Sequence, residues 1–160
     1  MTDSADQKGK VYTVVIAEAY KPTLDEGRIW GIDNLQKVVD AFSDYCRNGP
    51  RPLNGEYRKG NLTVPDRYYS IYVDNVSHKF VDIELVGELL IGKLILDGPR
   101  QDYLRSILES KAVEPIFHIR ASVLTTRAAI VIQKVVTIDC LGSIPRGPQL
   151  NPEVSCLCGL

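Results

Sequence analysis

A chain of 160 residues with 44% hydrophobic content can fill one domain with a real core, and no linker-like stretch divides it. Its 19 Lys and Arg against 20 Asp and Glu leave a net charge of −1, so no basic surplus points to nucleic acid and no acidic surplus to a disordered chain. The polar start MTDSADQKGK lacks the apolar centre of a signal peptide, and no apolar run approaches the roughly 20 residues of a membrane helix. These features predict a soluble, intracellularly made protein with neither nucleic acid nor membrane as a partner.

In chain order, residues 1–9 are expected to be disordered. Lys10 to Tyr20 alternates as a strand does, and Pro22 ends it. Asp25-Glu26-Gly27-Arg28 reads as a turn. Asp33 is a good N-cap for a helix whose Leu35, Val38, Val39, Phe42 and Cys46 share one face, and Asn48-Gly49-Pro50 closes it. Arg51 to Arg67 is a long polar connection, and a loop of that length in a compact domain is usually functional or mobile. Tyr68 to Val76 is aromatic and β-branched and predicts a strand. Val81, Ile83 and Leu85 alternate with Asp82 and Glu84 in a further strand, and Val86-Gly87 turns into the apolar run Leu89 to Leu96. Pro99 is placed to open a helix carrying Tyr103, Leu104, Ile107 and Leu108 on one face. Strands follow from Ile116 to Leu124 and from Ala128 to Leu141, and the residues after Gly142 read as an extended tail. The sum is an α+β fold: about six or seven mostly antiparallel strands in a barrel-like, curved sheet, with two main helices.

The cysteines are Cys46, Cys140, Cys156 and Cys158, with no C-x-x-C spacing and no histidine near them in sequence. Ordinary reduced thiols are favoured over a metal-binding or cross-linking use of the Cys156/Cys158 pair. No cofactor and no metal are expected.

Several landmarks stand in a telling order: GRIW at Gly27–Trp30 before a helix, LNGEY at Leu53–Tyr57, NVSH at Asn75–His78, LLIGKLILDGP at Leu89–Pro99, IRAS at Ile119–Ser122 and VTIDCLGSIP at Val136–Pro145. Together they resemble, over roughly Val11 to Pro145, the prohead core proteases of tailed phages, serine proteases that cut scaffold and capsid proteins during head maturation. The resemblance implies a fold of the prohead protease and herpesvirus assemblin kind. It implies one protease-like domain over residues 10–145 with a tail at 146–160. Capsid or scaffold proteins, and further copies of the chain, would be its partners, and it would reside in the host cytoplasm during assembly or in the virion head.

The departures from the family pattern bear on activity. The family's general base, the His of G-E-x-x-H-P, falls on Lys59 here. Matching Arg120 to the Arg of the G-V-S-S-R-G strand puts His118 and Ile119 where its serines belong. A serine hydroxyl needs a base within hydrogen-bond reach and an acid to orient that base, and losing either removes several orders of magnitude of rate. One arrangement would keep catalysis. A short insertion in the Ala112–Phe117 turn would bring Ser122 into the nucleophile's place, with His78, His118 or Lys59 as base and Asp139, by family position, as the orienting acid. Ser122, Arg120 and His118 share a parity, so a regular strand projects them to one face.

Each of these residues also has a plain structural role open to it. His78 suits a surface or interface position, His118 a core edge with a backbone partner, and Ser122 a small polar filler. Asp139 suits a cap or salt bridge and Lys59 a solvated loop, while Asp82 and Glu84 form a solvated strand face rather than a glycosidase pair. Tyr57 places a bulky ring in the family's base loop, where a working cleft needs room. The reading favoured by the sequence is a catalytically degenerate prohead-protease relative serving as a structural or regulatory head component. The alternative is an active serine endopeptidase with Ser122 as shifted nucleophile, and an unrelated β-rich binding module is a third.

Overall fold

The computed structural model describes residues 9–48, 53–58, 69–127 and 130–146. Lys59, the Cys156/Cys158 pair, most of the Arg51–Arg67 connection and both chain ends lie outside the described residues, as does the side chain of Cys46. Strand β1, Val11–Glu18, buries Val14 and Ile16 and leaves Val11 and Val15 outward, the alternation of a half-buried strand. A bulge between Val15 and Ala17 then turns Ala17 inward as well. Helix α1, Ile32–Asn48, starts ahead of Asp33, because the Gly31 carbonyl already accepts from the amides of Asn34 and Leu35. Asp33 therefore lies in the first turn, where its charge favours the positive end of the helix dipole. Leu35, Val38 and Phe42 form the buried stripe that the 3.6-residue period predicts.

Strand β2, Leu53–Glu56, is followed after the undescribed segment by a 3-10 turn at Val73–Asn75 and then by β3, Val76–Val86. The strand expected over Tyr68–Val76 is absent from the described part of that stretch. Its aromatic and β-branched composition is overridden by tertiary bonds: the Tyr72 amide and the Asn75 side-chain amide both donate to the Glu56 carboxylate, at 3.1 Å each. Hairpin β3–β4, with β4 at Leu89–Leu96, turns at Gly87-Glu88, one residue later than the expected Val86-Gly87 because Val86 still pairs with Leu89, and Gly87 sits at φ +61°. The alternation read through Val81, Ile83 and Leu85 breaks at a bulge. Phe80 pairs with Leu94 and Asp82 with Lys93, so Val81 is the extra residue and points outward.

Helix α2, Gln101–Leu108, begins two residues after Pro99 and buries Leu104 and Ile107. Strands β5, Val113–Thr125, and β6, Ile130–Pro145, form a long antiparallel ribbon closed at its base by the Arg146 amide on the Ala112 carbonyl (3.0 Å).

The fold is α+β, with two helices and two antiparallel sheets among the described residues: a four-stranded sheet in the order β1-β4-β3-β2, and the β5-β6 ribbon. The expected barrel-like single sheet is thus replaced by two sheets, and no closed barrel is seen among the described residues. Among the described residues, the backbone pairing between the end of β2 and β6 is a single parallel bridge, Tyr57 to Cys140. Along the first half of β6, side chains of α1 stand where a closing strand would pair. Asn34 donates to the Ile130 carbonyl (2.7 Å) and accepts from the Ile132 amide (2.9 Å), Lys37 donates to the Ile132 carbonyl (3.0 Å), and Tyr45 to that of Val135 (2.8 Å). A strand edge is covered here by a helix rather than by another strand. Phe80 of β3 meets Phe117 of β5 edge-on at 6.0 Å, so the core is shared between the two sheets.

Asn34→Ala removes a donor and an acceptor at once and strips two backbone groups of their partner. We expect a loss of ~2 kcal/mol in urea unfolding, from about 1 kcal/mol per bond. A change below ~0.5 kcal/mol would mean that water takes over the edge without cost.

Candidate functional site

The residues singled out in the sequence converge on the seam between β2, β3 and the β5-β6 ribbon, yet their bonds run elsewhere than catalysis needs. At the centre is a cluster of four charged side chains, Glu56, Arg58, Arg120 and Asp139, all buried. Arg120 grips Asp139 with two bonds, Nε to Oδ2 and Nη2 to Oδ1, both 3.0 Å. It also reaches Glu56 Oε2 at 2.8 Å and the Ser70 carbonyl at 2.7 Å. Arg58 Nε donates to Asp139 Oδ2 at 2.8 Å, and the Glu56 amide to Asp139 Oδ1 at 3.0 Å. Among the described residues, two carboxylates stand against two guanidiniums, a balance of the kind under which charges tolerate burial. Both Asp139 oxygens are thereby engaged, and Asp139 bonds to no histidine.

His78 lies on β3 beside this cluster and is fully buried, not at a surface or interface as expected. Its Nε2 is 2.9 Å from the Ile138 carbonyl, which can only accept, so the proton sits on Nε2. Nδ1 then accepts from the Ser77 hydroxyl at 2.6 Å. Burial holds the imidazole pKa down at about 4, although the Ile138 bond and the Asp139 charge pull the other way. Opposite His78 in the register stands Gly55, where a Cβ would come within 2.1 Å of Nε2 and 2.2 Å of the Ile138 oxygen. Glycine at this point of the Gly55-Glu56 pair is what lets the ring lie against β2. Ser77 was missed as the partner of His78; adjacent residues on a regular strand point to opposite faces, so the sequence pattern argued against the contact.

His118 stands opposite Asp139 in the β5-β6 register, but its Nδ1 bonds to Asp25 Oδ2 at 2.5 Å. This partner, 93 positions away in sequence, is not the backbone group expected for it. Burial pushes the Asp25 carboxyl up, yet the His118 bond and the nearby Thr23 hydroxyl outweigh it and hold the group below the usual carboxylate range. Ser122 lies half-buried on β5 across from Lys134. Both nitrogens of His78 are engaged elsewhere and His118 Nδ1 faces Asp25, and among the described residues no hydrogen bond joins either imidazole to the Ser122 hydroxyl. Lys59 is outside the described residues.

An open cavity of about 740 Å³ lies between α1, β2 and the turn after β4, lined by Tyr45, Leu53, Asn54, Val76, Gly98 and Lys134 among others, and by none of Ser122, His78, His118 or Asp139. Tyr57 is half-buried just past the end of β2 and stacks on Tyr103 at 5.3 Å. Compared with known proteins, the chain matches no family model, no curated protein and no solved structure.

Proposed function

We propose that this chain is a catalytically silent relative of the phage prohead core proteases, acting as a structural or regulatory component of head assembly. The observation that carries this reading is the fate of Asp139. The residue that the family resemblance would make the orienting acid has both oxygens committed to Arg58, Arg120 and the Glu56 amide inside a sealed charge cluster. The resemblance itself is supported by the meeting of three of its landmarks, Gly55-Glu56, Arg120 and Asp139, in one bonded unit. The hydroxyl nearest to an imidazole, Ser77, is fully buried, where no peptide bond reaches it.

A serine-directed phosphonate probe tests the silence: folded protein should remain unlabelled at Ser122 and Ser77 over hours, and stoichiometric labelling at Ser122 would restore the endopeptidase reading. Mass spectrometry of purified virions from an infection that expresses the chain tests the placement. An intact chain at many copies per particle is expected, whereas a chain lost or self-cleaved during maturation indicates a working protease.

A further inference from the structure

The turn between β1 and α1 presents a group of ligands that the proposed function does not use. Pro22 bridges to Ile29, the Arg28 amide bonds the Thr23 carbonyl (2.9 Å) and hydroxyl (3.1 Å), and the Gly27 amide returns to the Thr23 carbonyl (3.0 Å) with Gly27 at φ +68°. This folded-back loop sets Asp25 over β5, against His118. The Asp25 side chain is only 4% exposed and that of His118 13%. Although Oδ2 bonds His118, the other oxygen, Oδ1, is buried and has no hydrogen-bond partner among the described residues. Glu26 follows at the rim, 36% exposed, with Arg28 Nε 3.3 Å from its Oε1. One ligand atom from each of Asp25, Glu26 and His118 falls within 4.8 Å of the others.

A buried carboxylate oxygen without a donor is costly, and a cation between the two elements would satisfy it. One imidazole nitrogen with two carboxylates is a borderline donor set. It suits Zn²⁺, Co²⁺ or Mn²⁺ better than Mg²⁺ or Ca²⁺, which favour all-oxygen shells. We propose that Asp25, Glu26 and His118 bind a divalent transition-metal ion, with the half-exposed Glu26 on the solvent side and the remaining positions open to water. The ion would be held through Asp25 Oδ1, the oxygen without a donor, and would displace the proton that His118 Nδ1 shares with Oδ2, pinning the β1–α1 turn to β5. No family resemblance enters this inference, and it stands whether or not the chain belongs to a phage head. No local pattern hints at it, since the turn and the strand lie 93 residues apart, and the expectation of no metal weighed only the cysteines and their distance from the histidines.

The test uses the full chain with Cys156→Ser and Cys158→Ser, so that tail thiols cannot supply a competing soft site. After chelator treatment, Co²⁺ titration should show one saturable equivalent. Its visible d–d bands should be those of nitrogen and oxygen ligands, without thiolate charge transfer, and Zn²⁺ should displace it. Asp25→Asn and His118→Gln should each weaken Zn²⁺ binding at least tenfold. Because those two variants also disturb a buried contact, the rim variant Glu26→Gln serves as the decisive one. It should keep the melting temperature of the metal-free protein while weakening Zn²⁺ about fivefold or more. Absence of saturable binding in the tail-thiol-free protein would overturn the proposal, as would Zn²⁺ affinity unchanged by Glu26→Gln and His118→Gln.

Discussion

Replacing Arg120 by Met is expected to cost about 4 kcal/mol in equilibrium unfolding, within the ~3–5 kcal/mol range for breaking one partner out of a buried ion cluster. That would be a large share of the roughly 5–15 kcal/mol that holds a domain of this kind together. Arg120 serves Asp139 twice, Glu56 once and the Ser70 carbonyl once, and its side chain is fully covered. Methionine fills most of the volume but, among the described residues, leaves Glu56 and Asp139 with Arg58 as the remaining guanidinium of the cluster. Two buried negative charges then share one positive charge. Arg120→Lys keeps the charge and still loses the fork that grips both Asp139 oxygens, so it should fall between wild type and Met.

Charge balance provides the internal control. Adding Glu56→Gln to Arg120→Met restores one acid against one base, so the double variant should be less destabilised than the sum of the singles by about 1–3 kcal/mol. Strict additivity in urea unfolding, or a loss below ~1 kcal/mol for Arg120→Met, would show that the cluster does not hold the seam together.

How far this seam was legible in the sequence varies from residue to residue. The amphipathic stripe of α1 and the Gly87 turn followed from local periodicity, because each is decided by neighbours three or four positions away at most. Strand β4 does not bury both faces as its apolar run suggested, since Leu90, Gly92 and Leu94 are buried while Lys93 is exposed and Ile91 and Ile95 are only partly covered. Asp139 was weighed as a cap or salt bridge at a strand end; it is an ion-pair residue, but it lies within β6 rather than at its end. The partition into two sheets was not legible. It depends on Asn34, Lys37 and Tyr45 reaching across from α1 to an edge some 90 residues on, and no periodicity encodes that. His78 was misplaced at the surface for a related reason. The residue that makes room for its ring is a glycine on another strand, Gly55, and a missing side chain leaves no hydrophobic signature. The parity argument that put Ser122, Arg120 and His118 on one face described a strand in isolation, while tertiary partners decide which bonds those residues make. Asp25, read as a turn residue, is one, and its chemistry comes from the strand it folds onto.

The buried imidazole of His78 predicts how stability responds to acid. In the folded protein its pKa lies near 4, against roughly 6.5 in an unfolded chain, so folding favours the neutral ring. Above pH ~6.5 neither state binds a proton there and the contribution is fully present. Between pH 6.5 and 4 the unfolded chain is protonated while the folded one is not, so stability falls as pH falls. At 1.36 kcal/mol per pH unit, this group alone should remove about 2 kcal/mol between pH 6.5 and 5, and about 3 kcal/mol by pH 4. Other groups titrate over the same range, so the readout is the difference between wild type and a variant. His78→Gln cannot charge, and its amide can still donate toward the Ile138 carbonyl. It should be less stable than wild type at pH 7, through imperfect packing against Phe80 and Phe117, which meet the His78 ring at 5.3 and 6.1 Å. Its deficit should then shrink by about 2 kcal/mol in urea midpoints taken at pH 5. A deficit that stays constant with pH would mean that the ring accepts a proton inside the fold, and a deficit that grows toward acid would mean that the folded state prefers the imidazolium, paired with Asp139 after all.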